Sequence, residues 1–190
     1  MQKWQKTIVV AGVVVTLLLT VRVAKAKTPE GMRIKDITDK LPKGKGRYAR
    51  RKLEQIEQVV LHHSATSSGS PEAFARYHTQ ERGWPGIGYH FVVQPSGKIY
   101  QTNKLDTIAY HAAGQNTRSV GVCLTGNFDQ QTVGDVQLAS CVALLRYLNR
   151  LLDRDLLIAG HNAYSAKSCP GDNVDVDLIR QLVDEPIQQV

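Results

Sequence analysis

At 190 residues the chain has room for one domain, or one domain plus an appendage, and its 42% hydrophobic and 22% charged residues are ordinary for a globular protein. The net charge of +7 is unevenly divided: residues 1–53 hold 14 Lys/Arg against 3 Asp/Glu, a balance of +11, and residues 54–190 hold 10 against 14, a balance of −4. The basicity lies in an arm and not on the fold, which argues against a nucleic-acid reader, so no nucleic acid is expected as a partner.

The N-terminus has the pattern of a targeting segment. Lys3 and Lys6 precede an apolar run from Ile8 to Val21, interrupted only by Gly12, Thr16 and Thr20, and Arg22 and Ala24-Lys25-Ala26 follow. A positive start, an apolar core and an A-x-A site describe a secretory signal peptide over residues 1–26. The run falls short of the roughly 20 apolar residues that span a bilayer. An uncleaved signal anchor stays open, because Lys27 follows the site. Either form implies export to the periplasm or cell envelope, secreted or anchored in the inner membrane, with the membrane as a partner of this segment.

Residues 27–53 carry Pro29, Gly31, Pro42, Gly44 and Gly46 among many Lys and Arg, and read as a solvated basic linker with little regular structure. This arm suits anionic wall polymers or phospholipid headgroups, or serves only as a soluble tether. The fold is expected to start near Lys52 and the domain to cover residues 54–190.

Strands and helices then alternate. Gln58–His62 reads as a strand. Ser70-Pro71-Glu72 opens a helix running to about Arg82, with a capping Ser, Pro at the first helical position and an acid in the first turn. Tyr89–Gln94 and Lys98–Gln101 flank the turn Pro95-Ser96-Gly97 as a hairpin. Val120–Leu124 is a further apolar strand, Leu138–Leu152 a long amphipathic helix, Leu156–Ala159 a short buried strand and Asp175–Val183 a closing helix. This order predicts a mixed α/β fold with one central mixed sheet flanked by helices.

Two short stretches carry the chemistry: LHHSAT at residues 61–66 and GHNAYSAKSCPG at 160–171. His62 and His161 each end an apolar strand, where active-site edges lie, and Cys169 follows His161 at a distance that a loop can close. A distant strand His joined to such a pair makes a three-ligand zinc site with one open position for water. Cys123 and Cys141 lie in apolar runs and read as small buried apolar residues.

These stretches, with HTQERGWPGIGYHFVV (78–93) and HAAGQNTRSVGVCLTG (111–126), resemble in order and approximate spacing the motifs of N-acetylmuramoyl-L-alanine amidases of the phage-lysozyme type. Those enzymes share a fold with peptidoglycan recognition proteins, and the resemblance covers about residues 54–180. It implies one zinc ion per chain held by His62, His161 and Cys169, with His63 at a variable position. It implies Tyr89 and Lys167 as catalytic residues and His111 as a substrate-groove residue. The activity it implies is hydrolysis, by zinc-activated water, of the amide joining N-acetylmuramic acid to L-alanine, with bacterial peptidoglycan as partner.

Lys167 is then suited to stabilising the carbonyl oxyanion, and Tyr89 to donating to that oxygen or orienting the water. Some relatives carry a Glu base where this chain has Cys123, which is no substitute for a carboxylate. The proton is left to Tyr89, Lys167, His90 or the activated water, although on a regular strand His90 faces away from a cleft that Tyr89 faces. A second reading is a recognition module that binds peptidoglycan without cutting it. Non-catalytic members of the superfold typically lack a ligand, often the Cys. A third, regulatory reading through a polymerase conflicts with the export signal.

Overall fold

The structure, a computed structural model, describes residues 32–186. The expected signal or anchor segment, residues 1–26, lies outside the described residues.

Six strands form one sheet: β1 (Ile34–Asp36), β2 (Gln58–His63), β3 (Phe91–Val93), β4 (Ile99–Gln101), β5 (Ser119–Leu124) and β6 (Leu157–Gly160). Their order is β1-β4-β3-β5-β2-β6. Only the β3–β4 hairpin is antiparallel; the pairs β1–β4, β3–β5, β2–β5 and β2–β6 are parallel. Helices α1 (Pro71–Gln80), α2 (Asp135–Leu152) and α3 (Val176–Asp184) pack against it. The mixed sheet with flanking helices matches the fold class expected from the order of elements.

The two central strands explain their own composition. Every residue of β2 and β5 is buried, because helices cover both faces, so their sequences read as apolar runs and not as alternation. Alternation of side chains still assigns faces. Val59, Leu61, Val120, Val122 and Leu124 meet Cys141, Leu144, Leu145 and Leu148 of α2 and Ile179 and Leu182 of α3 in the main core. On the opposite face Val92 and Cys123 pack with Ala75 of α1 and with Ile37, Leu41 and Ile87. Cys123 and Cys141 are both buried and unpaired, on opposite sides of the sheet.

The helix ends follow local chemistry. Ser70 caps α1 by accepting from the Ala73 amide at 3.3 Å, with Pro71 at the first position. Asp175 caps α3 by accepting from Leu178 N at 2.8 Å. Helix α2 stops where Asp153 turns left-handed at φ 51°.

The reading of residues 27–53 as a solvated basic linker with little regular structure is corrected, for its described part, in one respect: it is packed against the fold. The chain adds β1 to the sheet edge, buries Ile37 and Leu41 at 5% exposure each, and buries Arg51. Asp36 closes the turn after β1 by accepting from the Thr38 amide and hydroxyl at 3.0 and 2.8 Å. Tyr48 donates to the Gly86 carbonyl at 2.8 Å. The physical reason is that β1 is a three-residue edge strand with Lys35 and Asp36 exposed, so its few apolar residues are outnumbered by charge and the segment averages to a solvated composition.

Candidate metal centre

Strands β2 and β6 run parallel with Leu61 opposite Gly160, so the next residues, His62 and His161, emerge side by side at the same sheet edge. Ligand sites of open α/β sheets lie at this carboxyl edge. The loop after His161 returns through Cys169, whose carbonyl accepts from the Asn162 amide at 2.6 Å. The rings of His62 and His161 stand 4.6 Å apart, and His62 Nδ1 lies 3.6 Å from Cys169 Sγ. One ligand atom from each of the three residues falls within 4.8 Å of the others.

This set fits zinc. Bonds of about 2.3 Å to sulfur and about 2.0 Å to nitrogen at a tetrahedral angle put those two atoms about 3.6 Å apart, the separation His62 and Cys169 already have. Two imidazoles and a thiolate are its usual donors. His62 is buried, while His161 and Cys169 are half-buried, so the site opens to solvent on one side.

Electrostatics prepares the ligands unequally. Burial, then the neighbouring His111 and His161, hold His62 far below its ordinary pKa; burial, then Lys167, lower His161. Both rings are therefore neutral at neutral pH, as ligands must be. Burial pushes the Cys169 thiol up to about 11, with Lys167 pulling the other way. A divalent cation must displace that proton.

Tyr89 sits against the centre, its ring 5.3 Å from His62. Burial, reinforced by Cys123 and Cys169, keeps the phenol proton on, so Tyr89 is a donor and not a base. Cys123 stands opposite His62 across the β2–β5 pair and is itself held protonated by burial. Lys167 lies exposed in the loop between two ligands, and its charge is felt at both. His111 is buried, with Nδ1 3.1 Å from His62 Nε2.

The remaining histidines are structural. His90 accepts from the Gly121 amide at 3.0 Å through Nδ1 and donates to Thr107 O at 2.9 Å through Nε2, so it ties β5 to the loop at Thr107, with its ring edge-on to His111 at 5.7 Å. Arg51 Nη2 approaches the same Nε2 at 3.1 Å, a contact between two donors that the fold tolerates because Nη1 of the same guanidinium reaches three carbonyls. His63 accepts from the Phe128 amide at 3.2 Å. His78 accepts from the Gly88 amide at 3.1 Å and stacks on Trp84, clamping the loop that carries Tyr89.

Sequence reasoning missed Arg51, Gln115 and Ser119. Arg51 lies in a run of basic residues indistinguishable from solvated charge, and Gln115 and Ser119, although inside the stretch 111–126, are ordinary polar residues with no local signal of a role. Their roles exist only through partners distant in the chain.

The comparison with known proteins agrees with this geometry. Residues 52–172 match the family model described as N-acetylmuramoyl-L-alanine amidase. The chain is 28% identical over 129 residues to peptidoglycan-recognition protein SC1a of Drosophila melanogaster, covering 63% of this chain and 70% of that protein. It is 28% identical over 127 residues to the endolysin of Enterobacteria phage K11, covering 63% and 83%. In structure it superposes on the amidase LysC of Clostridium intestinale with a TM-score of 0.68 at 27% identity, covering 78% of this chain and 95% of that one. With a sheet edge that gathers two histidines and a cysteine, and a family match across most of the described fold, the chain belongs to the N-acetylmuramoyl-L-alanine amidase family.

Proposed function

We propose that this protein is a zinc-dependent peptidoglycan amidase that cuts the amide between N-acetylmuramic acid and the L-alanine of the stem peptide. The observation that carries the reading is the convergence of His62, His161 and Cys169 ligand atoms within 4.8 Å, with Tyr89 against them. When bound, zinc supplies a Lewis acid and lowers the pKa of water towards neutrality.

The chain's own residues supply the rest. His62 and His161, kept neutral by burial, would hold the ion together with Cys169, which would bind as a thiolate. Lys167, exposed in the loop between two ligands, presents a positive charge felt at His161 and Cys169 and favours the negative charge that builds on the amide oxygen. Tyr89 keeps its proton and turns it towards the same oxygen or towards water. Neither Tyr89 nor Cys123 accepts a proton, since burial disfavours both anions. The buried His90 is committed to Gly121 and Thr107. Among these groups Lys167 is the exposed one, and as a cation it can give a proton but not accept one.

The N-terminal pattern supports export to the envelope, where this substrate lies, with the basic arm near anionic polymers or lipid. A second reading is supported by the likeness to a peptidoglycan-recognition protein: binding without cleavage. Mass spectrometry of peptidoglycan digested with residues 27–190, with and without a chelator, separates the two. Free stem peptides beginning with L-alanine, lost on chelation and restored by zinc, are expected. Intact wall in the presence of stoichiometric zinc makes the protein a binding module.

A further inference from the structure

Both nitrogens of His111 are engaged inside the protein. Nδ1 lies 3.1 Å from His62 Nε2, and Nε2 lies 3.1 Å from Ser119 Oγ and 3.4 Å from Ser119 O. The proton positions along this line follow from its far end. Ser119 Oγ donates to the Gln115 carbonyl at 2.7 Å. A hydroxyl has a single proton. With that proton on Gln115, Ser119 meets His111 only as an acceptor, so His111 carries its proton on Nε2 and leaves Nδ1 bare. His62 must then donate from Nε2, which leaves its Nδ1 lone pair aimed at Cys169 Sγ, 3.6 Å away.

The opposite polarity fits worse. It puts the proton of His62 on Nδ1, between the ligand atoms, and turns the Ser119 proton from a 2.7 Å partner to a 3.1 Å one. It also leaves two oxygen atoms, Ser119 Oγ and Gln115 O, 2.7 Å apart with no proton between them.

We propose that Ser119 and His111 are positioning residues: a relay from Gln115 O through Ser119 Oγ and His111 selects the Nε2-protonated tautomer of His62 and so presents its Nδ1 to the metal. The proposal rests on the zinc reading for its consequence and on hydrogen-bond geometry for its polarity. Outer partners that fix the tautomer of a metal-binding His are a general device. Here the relay is built in. Arg51 holds the Ser119 carbonyl at 2.6 Å, and Gln58 Nε2 holds the Gln115 side chain at 3.0 Å. Gly121 leaves room for the ring: a Cβ there would stand 2.6 Å from His111 Cγ.

The test uses the full chain labelled with nitrogen-15. Long-range proton–nitrogen correlation spectra of the metal-free protein near neutral pH report which ring nitrogen carries the proton, with His62→Gln and His111→Gln spectra for assignment. Both rings are expected as Nε2–H tautomers. Ser119→Ala is expected to mix the His62 tautomers and to weaken zinc binding, read by competition with a chelating dye, by about tenfold. Ser119→Thr, which keeps the hydroxyl, is expected to retain both. An Nδ1–H tautomer at either ring of the wild type overturns the proposal. So does Ser119→Ala that lowers the unfolding midpoint while tautomers and zinc affinity stay put, since that is a merely structural role. If the wild type binds no zinc, the amidase reading falls while the spectra still decide the relay.

Discussion

The guanidinium of Arg51 donates to the carbonyl of Ser119 at 2.6 Å, which ties the N-terminal arm to the first residue of β5, two hydrogen bonds from His62. The same side chain donates to Leu105 O, Asn116 O and Thr117 O at 2.8, 2.9 and 3.0 Å. An arm residue thus braces the loop before β5.

Arg51→Met removes those donors and deprives the buried Ser119 carbonyl of its charged partner. Hydrogen bonds to charged groups are worth about 1.5–3 kcal/mol each, without simple additivity, so a loss of about 3 kcal/mol or more is expected. The exposed Arg47→Ala is expected to change stability by less than about 0.5 kcal/mol. Urea unfolding of the two variants checks the contrast; equal midpoints would remove Arg51 from the fold's support.

Cys169→Ser replaces the thiolate with a hydroxyl that does not ionise near neutral pH. Bound zinc is expected to fall from one per chain to well below stoichiometry, measured by atomic absorption after dialysis, and stem-peptide release to fall with it. Because Cys169 is half-buried in a loop, its removal should change the unfolding free energy of the metal-free chain by less than about 1 kcal/mol. Full zinc content in the variant would dissolve the proposed ligand set.

Tyr89→Phe and Lys167→Ala keep every proposed metal ligand but remove the groups proposed to face developing charge. Each is expected to hold zinc at wild-type stoichiometry and to lower kcat by about a hundredfold or more, the usual cost of losing one such donor. Lys167→Arg keeps the charge and is expected to recover part of the rate. A change in KM alone would assign these residues to substrate binding.

Stability should depend on pH through the buried histidines. Burial lowers His78 from 6.5 to about 4 and His111 to about 3, and His62 and His90 fall well below 6.5 for the same first cause. Below 6.5 the unfolded chain takes up protons that the folded chain refuses. The stability from neutral rings is therefore fully present above about pH 6.5 and drains as the pH falls towards 4, by roughly 1.4 kcal/mol per pH unit for each ring. The urea midpoint of the metal-free chain against pH is the check; a flat profile across that window would contradict the burial of these rings.

Much of the fold was readable because its signals are local. The caps at Ser70 and Asp175, the Pro95–Gly97 turn and the apolar runs of β2 and β5 each depend on neighbours in sequence. The three candidate ligands were readable too, since His62 and His161 end strands and Cys169 follows in a loop. Strand β1 was not. Its three residues bury little, and only pairing with β4, more than sixty residues on, gives them a place.

What the chain's order of residues determined by itself is the set of elements and the residue types able to bind a metal, because propensity and burial patterns act over a few residues. What only the tertiary structure decided is which groups meet. The arm joins the fold because Ile37, Leu41 and Arg51 find burial and carbonyl partners far along the chain. The tautomer of His62 is set by Ser119, 57 positions away in number and two hydrogen bonds away in space. Hydrogen bonds act at about 3 Å whatever the sequence separation, so proton positions are a property of the packed molecule alone.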